Sequence, residues 1–242
     1  MAKKPTKSKS SSPRAGVITR ARRWVRRWML WFLAVVTVCT GGVVLAHRYI
    51  PPGQTLYMKQ EAHRLGNIDH QWVPMADIAP VMARSVVAAE DANFCTHWGF
   101  DMGAIRQVLE QGGAGGASTI SQQTVKNVYL WHGRNWLRKA LEAILTPVVE
   151  TVWSKRRIVE VYLNIAEFDE GIFGVDAAAH HYFGVGPGQL SDRQAALLAT
   201  VLPDPKDRSA RSPSAWMNKR ASSIMDGAAT IRRDGRAACF ED

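Results

Sequence analysis

Nineteen consecutive residues from Trp28 to Ala46, WMLWFLAVVTVCTGGVVLA, carry no charge. As a helix rising about 1.5 Å per residue they span roughly 28 Å, close to the hydrocarbon core of a bilayer. Such a run commits the chain to one membrane-crossing helix, with any domain built around a core following it. Lys3, Lys4, Lys7, Lys9, Arg14, Arg20, Arg22, Arg23, Arg26 and Arg27 all precede the run, whereas the first acidic residue is Glu61. With 31 Lys plus Arg against 21 Asp plus Glu, those ten account for the whole net charge of +10. The basicity belongs to a tail, which the positive-inside rule puts in the cytoplasm with everything after Ala46 outside. A nucleic-acid-binding surface is not implied. Trp24, Trp28, Trp31 and Tyr49 bracket the span as interface anchors would.

Val44-Leu45-Ala46 also fits a signal-peptide cleavage rule, but the apolar segment exceeds the usual ~7–15 residues and a long basic leader precedes it, so a retained anchor is the reading. Residues 1 to 23 read as disordered, because like charges repel and few apolar groups are available to bury. The expected organisation is a basic cytoplasmic tail (1–27), a transmembrane anchor (28–46), a juxtamembrane connector (47–77) and one domain (78–242). Cys39, Cys95 and Cys239 show neither C-x-x-C nor metal spacing, and whether Cys95 pairs with Cys239 stays open.

Past the connector the pattern is helical. Ile78, Val81, Met82, Ser85, Val86 and Ala89 recur at steps of three and four, as do Ile158, Val161, Tyr162 and Ile165. Ser154 and Ser191 each precede such a run as N-caps do. No hairpin signature is present, so the expected class is all-α from about residue 70. The Gly-rich stretch Gln111 to Ser118 is the expected mobile loop. Pro147, within an apparent helix, predicts a kink or a helix end.

Three segments carry chemistry. Glu90-Asp91 ends an apolar helical run, where a carboxylate can be half shielded by core yet face a cleft, as a proton acceptor requires; the plainer alternative is a helix-end cap. From Ser118 a helix would line up Thr119, Gln122, Gln123 and Lys126 on one face and turn Ile120, Thr124 and Asn127 elsewhere. No acid lies between Glu110 and Glu142, so this stripe and a helix N-terminus near Ser118 suit an anionic ligand such as a phosphate. Arg138 and Glu142 stand one turn apart and can pair, with Lys139 beside them.

These segments in this order, followed by Ser154-Lys155, Tyr162-Leu163-Asn164, Gly174 to Ala179 and Tyr182-Phe183-Gly184, resemble the peptidoglycan glycosyltransferases of glycosyltransferase family 51. The resemblance covers roughly residues 80 to 205. Ala117 within Gly116-Ala117-Ser118-Thr119, and a sequence that stops at Asp242 without a transpeptidase domain, point to the family's monofunctional biosynthetic peptidoglycan transglycosylase branch. The resemblance implies a lysozyme-like, mainly helical domain behind one transmembrane helix. It further implies polymerisation of lipid II into glycan strands, with inversion at the anomeric carbon and release of undecaprenyl diphosphate. It assigns Glu90 as the general base and Glu142 as a second catalytic glutamate near the leaving group. Ser118, Thr119, Gln122, Gln123, Lys126, Arg138 and Lys139 would hold substrate, while Asp91, Phe94 and His97 would be structural. No dedicated metal ligands are expected, although a divalent cation, Mg or Mn, is compatible with the diphosphate. Expected partners are lipid II, the growing strand, the membrane and other cell-wall synthases, with no nucleic acid. The expected location is the bacterial inner membrane, single-pass, with the catalytic domain periplasmic. Tyr129-Leu130-Trp131 is a further candidate for dipping into the lipid surface, against a core reading for Trp131.

Two rival functions share these features: a lysozyme-like lytic transglycosylase or hydrolase, and a non-catalytic, membrane-anchored cell-wall scaffold. A diphosphate leaving group needs cations more than a strong acid, whereas an ordinary glycoside needs a carboxylic acid and usually a second carboxylate. Lys126, Arg138 and Lys139 therefore favour the transferase.

Overall fold

A computed structural model describes the backbone of residues 13–112, 116–133 and 135–241, with side chains from residue 20 onward. The readings that fall on residues 1–12 of the tail and on 113–115 of the Gly-rich segment lie outside the described residues. Packing divides the chain into two units, Met1–Val43 and Val44–Asp242.

The first unit consists of helix α1 (Pro13–His47) up to Val43. One stretch of it, Arg20–His47, is long and apolar enough to cross a membrane. Residues 13–23, expected to be disordered, are helical. An apolar span that already forms a helix offers a preformed end, so extending it through Ala and Arg residues avoids the cost of nucleation. Pro13, whose fixed φ suits a first helical position, begins it.

In the second unit the chain runs through α2 (Leu56–Leu65), a short strand β1 (Asp69–His70), α3 (Pro80–Glu90), α4 (Met102–Glu110), α5 (Ile120–Tyr129), α6 (Trp136–Val152) and α7 (Lys155–Ile165). Strands β2 (Glu167–Asp169) and β3 (Ile172–Phe173) follow, then α8 (Val175–Phe183), α9 (Asp192–Val201), α10 (Ala215–Arg233) and α11 (Ala238–Glu241). The strands form a small sheet in the order β1-β3-β2, with β1 and β3 parallel and β2 and β3 antiparallel. At two or three residues each they are too short to show alternation, which is why the sequence reads as helical throughout. Ser154 caps α7 and Ser191 caps α9, each hydroxyl accepting from a first-turn amide. Helix α6 continues through Pro147, so the predicted helix end does not occur.

Two helix groups carry the core. α3, α9 and α10 pack on one another through residues such as Met82, Val86, Leu198, Ala221 and Ile224, all buried. α5 lies against both α6 and α7, burying Ile120, Val125, Ile158 and Leu163. Each such Val, Leu, Ile or Met side chain contributes about 1.5–3 kcal/mol on leaving water. That packing fixes the two elements that matter most below, the C-terminal end of α3 and the whole of α5. The start of the unit is tied to the same frame: Trp153 Nε1 donates to Val44 O (2.7 Å), and the Arg157 guanidinium donates to His47 O (3.0 Å) and Ile50 O (2.8 Å).

Cys95 and Cys239 form a disulfide, with Cα atoms 5.7 Å apart across a sequence separation of 144. It fastens α11 to the turn that follows α3, and Phe240 packs on Phe94 beside it. Closing so long a loop removes much denatured-state freedom. Replacing both cysteines by serine is expected to cost about 2–5 kcal/mol, read as a lower thermal unfolding midpoint that reductant reproduces in the parent but not in the variant.

Candidate functional site

Glu90 is the last residue of α3, where the helix leaves the core, and its side chain is half-buried. Its Oε2 accepts from Gln123 Nε2 at 2.9 Å. Gln123 Oε1 in turn accepts from the hydroxyl of Tyr162 at 3.3 Å, a buried residue of α7. Because the Glu90 carboxylate can only accept, it draws the amide NH2 towards itself and leaves Gln123 Oε1 to the Tyr162 hydroxyl, which donates. Burial pushes the Glu90 carboxyl above the usual range, and the Gln123 donor offsets part of the rise. Tyr162, buried and near Glu90, is held well above an ordinary phenol and stays a neutral donor.

The N-terminus of α5 is built by its neighbours. Thr119 is the N-cap and forms a capping box with Gln122, and its hydroxyl also donates to Gly99 O at 2.7 Å. Gly99 has φ +105°, and a Cβ there would come within 2.5 Å of the Thr146 methyl, so only glycine lets this turn approach. The buried Asp91 carboxylate accepts from Ile120 N (3.0 Å) and from His97 Nε2 (2.8 Å). The helix N-terminus that the sequence offered to a phosphate is therefore already served by Asp91 and Thr119. Asp91 and His97 act as a brace that joins the end of α3 to the start of α5.

The polar stripe on α5 is divided by the elements on either side. Thr119 and Gln122 are buried, and Gln122 Nε2 reaches Glu142 Oε1 on α6 at 3.3 Å. Gln123 faces α3 and α7. Lys126 lines a cavity of about 420 Å³ together with Gln123, Asn127 and Tyr162. Asn127, expected to turn away from Lys126, shares that cavity with it. The Lys126 side chain makes no hydrogen bond or ion pair among the described residues. Burial lowers its pKa, Glu142 opposes the shift, and Arg138 and Lys139 add to it.

Glu142 is 2% exposed. Its carboxylate accepts from Arg138 Nη1 at 3.1 Å, from Gln122 and from Lys139 Nζ. Lys139 Nζ also lies 3.4 Å from Ser118 Oγ. Ser118 and Thr119 border a second cavity of about 250 Å³ beside Glu90, and Arg138 and Lys139 line a groove with Trp136. Glu90, Gln123, Lys126, Arg138, Lys139, Glu142 and Ser118 are thus linked through α5. Thr119 and Gln122 are drawn into capping and into the Glu142 network.

The transglycosylase family profile matches residues 58–229. The chain belongs to the transglycosylase family. It is 58% identical over 241 residues to the biosynthetic peptidoglycan transglycosylase of Jannaschia sp. (strain CCS1), covering 99% of each chain. It is 43% identical to that of Caulobacter vibrioides over 90% of this chain and 97% of the relative, and 44% identical to that of Rhodospirillum centenum over 91% and 97%. With membership comes the lysozyme-like, mainly helical fold described above.

Tyr162, which holds Gln123 Oε1 in this transglycosylase, is visible in the sequence as a core position of the helical run and as part of a matched motif, but not as a site residue, since a buried Tyr and a site Tyr share the same helical spacing. The residues present do not form a divalent-cation cage. Among the described residues no group of three or more His, Cys, Asp and Glu side chains is placed to hold a metal ion, and both oxygens of Glu142 are taken by cations. Replacing Glu142 by Ala would leave Arg138 without its counter-charge beside Lys126 and Lys139. The expected cost is about 3 kcal/mol of stability, larger at low salt than at high salt in thermal unfolding.

Proposed function

We propose that this transglycosylase polymerises lipid II, the undecaprenyl-diphosphate-linked disaccharide-pentapeptide, into glycan strands. Glu90 takes the proton from the 4-hydroxyl of the acceptor's N-acetylglucosamine. The oxygen attacks the anomeric carbon of the chain-end N-acetylmuramic acid with inversion, the bond from that carbon to the diphosphate oxygen breaks, and undecaprenyl diphosphate leaves. Lys126, Arg138 and Lys139 receive the diphosphate, Glu142 orients the cations, and Ser118, Thr119, Gln122 and Gln123 hold oxygens or the groups that do. A divalent cation would arrive with the diphosphate, and no step depends on it.

The carrying observation is the pairing through Gln123 and Lys126 of α5: one shielded carboxylate on the first, and on the second a half-buried ammonium without an ion pair among the described residues, beside the Arg138–Lys139–Glu142 cluster. Partial desolvation of an unpaired ammonium is unfavourable to the fold alone, and a bound dianion offsets it. Asp91, held by His97 and Ile120 N, is not free to serve as the second carboxylate of a glycoside hydrolase. Purified protein should lengthen strands from lipid II and release no soluble muropeptide from finished sacculi; the reverse pattern would replace this reading with a hydrolase.

We further infer a single-pass protein of the bacterial inner membrane with its N-terminus in the cytoplasm and residues after the anchor in the periplasm, where other cell-wall synthases are its partners. The basic residues ahead of the span support this, as does the Cys95–Cys239 disulfide, which suits an oxidising compartment. The lipid-facing candidate Tyr129-Leu130-Trp131 does not fit: Leu130 is buried, and Tyr129 and Trp131 pack against the core. A better stripe lies on α6, where Trp136 (89% exposed), Leu137, Ile144 and Val148 stand clear of the core. An exposed apolar row of this kind suits the lipid surface. Leu137→Glu/Ile144→Glu should reduce vesicle binding by residues 44–242 with little change in unfolding midpoint.

A further inference from the structure

The turn that follows Glu90 makes little regular structure of its own. Phe94–Thr96 is a single 3-10 turn, a form used in short pieces with poor hydrogen-bond geometry. On one side it carries the brace in which Asp91 accepts from His97 Nε2 and from Ile120 N. From the other it is clamped by residues 236–240. Cys95 is bonded to Cys239, the buried Phe94 packs on Phe240 with ring centroids 6.3 Å apart, and Arg236 Nη1 donates to Ala92 O at 3.2 Å. Helix α11, four residues long, is too short to be stable by itself. Arg84 of α3 pairs with Glu241 at 2.6 Å and Arg156 of α7 donates to Glu241 O at 2.8 Å, so the rest of the fold holds it. Lys155, unused so far, adds to the clamp: its Nζ lies 4.3 Å from the centre of the Phe94 ring and donates to His97 O at 2.7 Å.

What the clamp holds is a closed ring of contacts around Glu90. The backbone joins Glu90 to Asp91, Asp91 reaches Ile120 N at 3.0 Å, and α5 carries Gln123 one turn further on, where its Nε2 returns to Glu90 Oε2 at 2.9 Å. Cys95 stands between Asp91 and His97, the two residues whose contact keeps the ring shut. The other charged groups near Glu90 are Asp91, Arg208 and Arg220, the last of which donates to Ala89 O at 3.2 Å. None of them belongs to α11, so a change at Cys239 reaches Glu90 through the turn and not through a neighbouring charge.

We propose that the Cys95–Cys239 bond, together with Arg236 and Phe240, positions the general base, pressing the Asp91–His97 turn onto the start of α5 so that Gln123 stays on Glu90. Cys95, Arg236, Cys239 and Phe240 are positioning residues and touch no substrate. The assignment rests on the reading of Glu90 as the base of lipid II polymerisation. Without the clamp the turn loosens, Asp91 leaves Ile120 N and water enters beside Glu90. The test uses the full chain in detergent, at a temperature well below every unfolding midpoint. Cys95→Ala/Cys239→Ala should lower kcat for lipid II about tenfold, since small misplacements of a reacting group are enough for that, with KM within about twofold of the parent. Its kcat/KM should also hold to lower pH on acidification, because a better-hydrated carboxylate returns towards its ordinary range. Both cysteines are half-buried, and dithiothreitol, itself oxidised to a disulfide as the two thiols form, should bring the parent to the same values and leave the variant unmoved. Arg236→Met, which keeps the bond and frees Ala92 O, should lose about threefold in kcat by the same argument and carries the test if the double variant does not fold. A folded double variant, or Arg236→Met, with parental kcat and parental pH profile overturns the proposal. A substrate-free arm separates this failure from that of the lipid II reading: the carbon-13 resonance of the Glu90 carboxyl, assigned by its loss in Glu90→Gln, is titrated in oxidised and reduced protein. A titration midpoint that reduction does not move overturns the positioning role whatever the substrate, whereas a parent that moves as expected yet never lengthens strands overturns the lipid II reading instead.

Discussion

Glu90→Gln is expected to lower the rate of lipid II polymerisation by about 10³-fold, the middle of the range for loss of a positioned base, while the protein folds as before. The glutamine still offers an oxygen to Gln123 Nε2, so the local contact survives and only the proton acceptor is lost. The same variant should also be more stable than the parent at neutral pH. Burial raises the Glu90 pKa in the folded state, so as the pH climbs through the ordinary carboxylate range the unfolded chain loses its proton first and the native state is disfavoured. That cost is complete above the folded pKa and absent below the ordinary range. The stability gain of Glu90→Gln should therefore be present at neutral pH and vanish in acid, while the parent's kcat/KM falls on acidification at a higher pH than an ordinary carboxylate would give. A Glu90→Gln enzyme with parental turnover would end the general-base assignment.

Lys126→Met should reduce kcat/KM by about 10²–10³-fold, as expected for a preorganised charge that meets the leaving group. Lys126→Arg should recover part of the loss. Here too stability and activity should move in opposite directions. Burial lowers the Lys126 pKa, so the ammonium burdens the fold below its folded pKa, and the burden fades as the pH rises through that value towards the unfolded one. Lys126→Met should accordingly raise the unfolding midpoint at neutral pH, by an amount that shrinks in alkali. A loss of stability alongside the loss of activity would instead mark Lys126 as a structural cation.

Both expectations describe a site whose groups are held at some cost to the fold. Glu142, itself bonded by Gln122, holds Arg138 and Lys139, whereas Asp91, His97 and Thr119 fix the ends of α3 and α5. The two groups that the proposed reaction uses most directly, Glu90 and Lys126, are the ones left without an ion pair among the described residues. Natural sequences tolerate such local conflict where function requires it.

Much of this protein could be read from order and spacing alone. The uncharged run from Trp28 to Ala46 marked a helix long and apolar enough to cross a membrane, because helix rise and bilayer thickness set that length. The N-caps Ser154 and Ser191, and Glu90 at the end of an apolar helix, followed from local rules of capping and period. The i,i+4 spacing of Arg138 and Glu142 brought that pair together for the same local reason. What linear order left open was decided by neighbours distant in sequence. Only packing of α5 between α6 and α7 could send Gln122 to Glu142 and the adjacent Gln123 to Glu90. Only the approach of Asp91 to Ile120 N could fill the helix end that looked ready for a phosphate. The Cys95–Cys239 bond and the meeting of Tyr57 with His132 likewise join segments that have no local reason to touch, because such contacts depend on where helices cross and not on how they repeat.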